Sequence, residues 1–180
     1  MIEEILEYNK TFVKDEKYSG YSVNKYPQKK LAILSCMDTR LVELLPDALG
    51  IKNGDAMMIK NAGGSIAHPF GSVVRSLIIA IYNLGVEEVM VIGHTDCGVQ
   101  HMESDELIQK MKERGIDEEH LNLMKYSGVD FESWLGGFEN VEESVSGSMN
   151  LIKNHPLIPK NIVVRGFVID SNTGALSELK

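Results

Sequence analysis

The chain has 180 residues, 43% of them hydrophobic, enough to bury one domain-sized core and too many for a disordered segment. Its formal charge is −8 and its pI about 5.1, which argues against nucleic acid or an anionic membrane as partner, since both call for a basic surface. No apolar run approaches the length of a bilayer span, the N-terminus lacks the basic and apolar regions of a signal peptide, and the cytoplasm is the expected location.

The first residues, Ile2 to Val13, space their apolar side chains loosely at helical intervals. Tyr18 to Pro27 reads as irregular, broken by Gly20 and Pro27. Leu31 to Ser35 is a short, continuous apolar run, the pattern of a strand buried on both faces. Ala56 to Ile59 is a second strand, entered through the turn signal Asn53-Gly54-Asp55. Ser72 to Leu84 carries a broad apolar face and stops at Gly85, as a helix packed on a sheet would. Val89 to Ile92 is a third strand. Ser104 to Arg114 and Glu118 to Tyr126 are more polar helices, expected on the outside. Asn140 and Glu143 have capping-box spacing, ahead of a helix whose face is Val141, Val145, Met149 and Ile152 and which ends before Pro156. Ile162 to Ile169 is the strand richest in β-branched residues, and after a turn Ala175 to Leu179 can return as an antiparallel edge.

Strands alternating with helices predict a single α/β domain over residues 1–180, with a mainly parallel central sheet, flanking helices and an antiparallel edge strand. Ligands of such sheets bind beyond the carboxyl ends of the strands. Cys36 follows the first strand, Asn61-Ala-Gly-Gly64 the second, and His94 and Cys97 the third.

Two cysteines do not make a disulfide scaffold. The plainer reading of one buried cysteine is packing, and of one loop histidine a surface group. Here both cysteines lie at strand ends, and one is three residues from a histidine. Zinc favours thiolate and imidazole in tetrahedral sites, and three protein ligands leave a position for chemistry. Asp38 and Arg40 stand just beyond Cys36. The carboxylate can close the site as a fourth ligand, or pair with the guanidinium fork of Arg40 and leave that position to water. An ordinary surface ion pair is the alternative and contributes little. A dithiol redox pair is the main rival to a metal, and it would explain neither His94 nor the Asp38–Arg40 pair.

Cys36-Met-Asp38-Thr-Arg40 and Gly93-His94-Thr-Asp-Cys97-Gly98, separated by 53 residues from Arg40 to His94, resemble the Cys-x-Asp-x-Arg and His-x-x-Cys signatures of the β-class carbonic anhydrases. The short length and the closing Gly166 to Leu179 segment look most like the compact microbial branch. The resemblance implies zinc on Cys36, His94 and Cys97. Asp38 is then either the fourth ligand of a closed state or the partner of Arg40 in an active one. It implies reversible hydration of carbon dioxide to bicarbonate and a proton through a zinc-bound hydroxide, oriented by Asp38 and Arg40. It also implies a homodimer or dimer of dimers, with the N-terminal helix (about residues 2–16) packing on the partner subunit. Gly63 and Gly64 would line the substrate pocket, or simply form a tight turn. The family often has Arg before Asn-Ala-Gly-Gly, where this chain has Lys60. Histidine is the side-chain type that suits a proton shuttle, but the positions of His68 and His101 favour loop and surface roles. Trp134 reads as core or interface packing. Carbon disulfide or carbonyl sulfide as substrate, a non-catalytic zinc or bicarbonate sensor, and a thiol redox protein are the competing functions.

Overall fold

The computed structural model describes residues 1–180. Five strands form one sheet: β1 (Leu31–Cys36), β2 (Ala56–Asn61), β3 (Glu88–His94), β4 (Val163–Ile169) and β5 (Leu176–Glu178). Their order is β2-β1-β3-β4-β5, parallel except for β5, which pairs antiparallel with β4. The expected α/β architecture, edge strand included, is the one observed.

The chain has seven helices: α1 (Ile2–Lys14), α2 (Leu44–Leu49), α3 (Ser72–Leu84), α4 (Ser104–Glu113), α5 (Glu118–Tyr126), α6 (Phe131–Leu135) and α7 (Val141–Asn154). Helix α3 closes on Gly85 in the left-handed conformation. The side chain of Asn140 accepts from the Glu143 N–H at 2.9 Å, capping α7 as its spacing predicts.

The sheet is covered on both faces, which is why β1 and β3 read as unbroken apolar runs. One face packs Ala32, Leu34, Val89 and Val91 against Leu77 of α3 and Val145 and Ile152 of α7. The other packs Ile33, Ile92, Phe167 and Ile169 against Leu41 and Leu45. Gly93 lets α7 sit directly on β3: a Cβ there would lie 2.8 Å from a methyl of Val145. Thus the strand that ends in His94 is clamped by the packing behind it.

Helices α4 to α6 carry a small core of their own, Ile108, Leu121 and Phe131. Trp134 lies on this insert and is 63% exposed, so the core alternative for it is corrected. Helix α1 has no buried residue. Its Ile2, Ile5, Leu6 and Tyr8 are exposed, and Phe12 meets Tyr21 of the following turn. No helix is long and apolar enough to cross a membrane.

Candidate metal centre

Strands β1 and β3 are neighbours at the middle of the sheet and run the same way. Their carboxyl ends therefore deliver Cys36 and His94 side by side, and the turn after β3 brings back Cys97. The donor atoms of these three residues all lie within 4.8 Å of one another. All three are buried, and the two sulfurs stand 3.9 Å apart as free thiols.

His94 bears on whether the group could hold a metal. Its Nδ1 lies 2.9 Å from the Thr95 carbonyl, which can only accept, so Nδ1 carries the proton. That leaves the lone pair on Nε2, which is buried with no hydrogen-bond partner. An unpaired buried nitrogen is costly, and a metal ion is the partner that a ring nitrogen beside two sulfurs would satisfy. The donor set, two thiolates and one imidazole, fits zinc.

The three donors perturb one another's charge. Burial alone would push the Cys36 thiol up. The His94 imidazole and the backbone N–H groups of Asp38 and Gly63 outweigh it, and bring the thiol from 9.0 to about 7. Burial pushes the Cys97 thiol up. The neighbouring Cys36 sulfur pushes the His94 imidazole up.

Asp38 stands outside the three-donor group and faces Arg40. Arg40 Nε donates to Oδ1 at 3.0 Å and Nη2 to Oδ2 at 2.8 Å, the bidentate fork. The Arg40 backbone N–H adds a third bond at 2.9 Å. These contacts hold the Asp38 carboxyl well below the usual carboxylate range, so it accepts hydrogen bonds and cannot donate them. Its Oδ2 is 4.0 Å from His94 Nε2.

Gly63 and Gly64 form a tight turn after β2, with φ of +77° and +63°. A Cβ on Gly64 would lie 2.7 Å from the Cys36 nitrogen and 2.9 Å from the Ser35 carbonyl carbon. Only glycine fits there, because the turn lies directly on the end of β1. Gly63 packs beside Val99 and Phe138.

His68 and His101 are outside the donor group. His68 Nδ1 accepts from the Phe70 N–H at 3.0 Å. His101 pairs with Glu139 on the surface at 2.8 Å.

A family model for carbonic anhydrase matches residues 31–176. A crystal structure of the β-carbonic anhydrase isoform I of Trichomonas vaginalis superimposes with a TM-score of 0.90 at 35% identity, over 99% of this chain and 96% of that one. The chain belongs to the β-carbonic anhydrase family. Among its relatives in that family, Bacillus subtilis YtiB is 52% identical over 176 residues, covering 98% of this chain and 94% of its own length. A carbon disulfide hydrolase of Acidithiobacillus thiooxidans is 33% identical over 156 residues, 82% of this chain and 76% of its own.

Two residues of this β-carbonic anhydrase carry contacts that the sequence did not announce. Lys60 donates to the carbonyls of Cys36 at 3.3 Å and Leu41 at 3.2 Å, so it spans the turn that holds Asp38 and Arg40. Both acceptors are main-chain carbonyls, which a point charge serves as well as a planar fork does. Asp96 lies between His94 and Cys97 and binds Arg40. The signal for it is an acidic residue inside the His-x-x-Cys turn. Its partner, 56 residues away, is visible only in the fold.

Proposed function

We propose that this protein catalyses the reversible hydration of carbon dioxide to bicarbonate and a proton, with zinc held by Cys36, His94 and Cys97. The observation that carries the reading is the buried two-sulfur, one-imidazole cluster beside a carboxylate already locked by Arg40. A bound zinc ion supplies Lewis acidity, under which water gives up a proton near pH 7 rather than at about 15.7.

The chain's own residues do the rest. His94 keeps its Nδ1 proton on Thr95 and presents Nε2. Asp38, ionised and acceptor-only, takes a hydrogen bond from the attacking water-derived nucleophile and so aims its lone pair at carbon. Arg40 keeps Asp38 in place for that role. Val99 and Phe138, packed beside Gly63, offer a small uncharged substrate an apolar surface. We place carbon dioxide on this side, against the Gly63–Gly64 turn.

The test is stopped-flow hydration of carbon dioxide by zinc-loaded protein, from about pH 6.5 to 9. Turnover that rises with pH is the expected result. No turnover at any pH, with zinc measured in place, would overturn the reading. A second reading uses the same site on carbon disulfide, and the Acidithiobacillus relative is the observation in its favour. Hydrogen sulfide release from carbon disulfide by protein inactive on carbon dioxide would select it.

We further propose that the exposed apolar residues of α1 are covered by a second copy of the chain, giving a homodimer or a dimer of dimers. An apolar helix face left open to solvent is a candidate surface for burial against another chain. A chain starting at residue 17 is expected to sediment as a smaller species than the full chain. Equal sedimentation per subunit would count against the arrangement.

A further inference from the structure

Arg40 does more than hold Asp38. Its Nη1 donates to the Asp96 carboxylate at 2.7 Å, and its Nη2 also donates to the Asp96 main-chain carbonyl at 2.7 Å. One guanidinium thus joins the turn after β1 to the turn between His94 and Cys97. It is held along two edges, so it cannot pivot about a single contact.

Asp96 is suited to this by its backbone. Its φ is +53°, the left-handed state that Asp and Asn tolerate better than most side chains. In that state its carbonyl and its carboxylate meet the same guanidinium. Asp96 is 83% exposed and Arg40 37%, so the pair adds little to folding stability. Orientation is what it can supply.

Asp38 has no other anchor. Every hydrogen bond to its carboxylate in the structure comes from Arg40. The 4.0 Å between its Oδ2 and His94 Nε2 is a short distance to cross. Where Arg40 is held therefore decides where Asp38 rests.

The geometry points to Asp96 as a positioning residue: by tying Arg40 to the His94–Cys97 turn, it keeps Asp38 paired with Arg40 and out of the metal-donor group. This rests on the metal site proposed above.

Cobalt(II) in place of zinc makes the arrangement visible, because its absorption bands report the donor set. Asp96→Asn keeps a residue that tolerates the left-handed backbone but gives up the charged contact. Asp96→Gly keeps the backbone state and the carbonyl contact, and serves as a second variant. Either substitution is expected to change the cobalt bands and to lower kcat for carbon dioxide about tenfold with KM little altered. In an Asp38→Ala background the same substitution is expected to leave the bands of that background unchanged. Unchanged bands in both single variants, or an equal change in both backgrounds, would overturn the inference. Parent protein that takes up no cobalt would bring down the metal reading, and this inference with it.

Discussion

Serine in place of Cys97 is expected to strip the protein of most of its zinc and of all measurable carbon dioxide turnover. Cys97 is one of three donors, and the remaining two, Cys36 and His94, cannot fill a tetrahedral site. Serine matches cysteine in shape but not in chemistry: its hydroxyl stays protonated near neutrality and is a poor ligand for zinc. The loss should exceed the roughly 10- to 100-fold that follows removal of an outer hydrogen-bond partner of a ligand. Metal analysis and stopped-flow hydration on the same preparation check it. Full activity in zinc-free Cys97→Ser protein would sink the metal assignment.

Alanine at Asp38 should separate binding from turnover. The donor group Cys36, His94 and Cys97 does not include Asp38, so zinc content should stay near that of the parent. The carboxylate that Arg40 holds beside the donors would be gone, and with it the acceptor proposed to aim the nucleophile. Turnover should fall about 10- to 100-fold. Parent-like kcat in Asp38→Ala would remove the Asp38–Arg40 pair from the mechanism. Loss of zinc in step with activity would make Asp38 a ligand instead.

The central strands were legible because burial on both faces leaves no alternation to decipher; Leu31 to Ser35 and Val89 to Ile92 are plain apolar runs. Helix α3 was legible because Gly85 punctuates it, and α7 because Asn140 caps it. Helices α2 and α6 were not. They have six and five residues, too short for a period to show, and α2 carries Pro46 within its first turn, where proline is tolerated but reads as a breaker. The candidate site was legible in its parts, since Cys36, His94 and Cys97 all fall at strand ends. That β1 lies beside β3 is what turns two strand ends into one cluster. The contact of Arg40 with Asp96 was hidden, because nothing in either turn names the other.

Cys36 and Cys97 are 61 residues apart along the chain and 3.9 Å apart in space. An ion gripping both ends would act as a removable staple across the two central strands, closing a loop whose closure costs entropy in the unfolded chain. Its grip would be set by supply: free zinc at about a thousand times its dissociation constant would add about 4 kcal/mol to stability, and scarcity would take that back. A zinc-starved cell would then hold a protein both silent and easier to degrade.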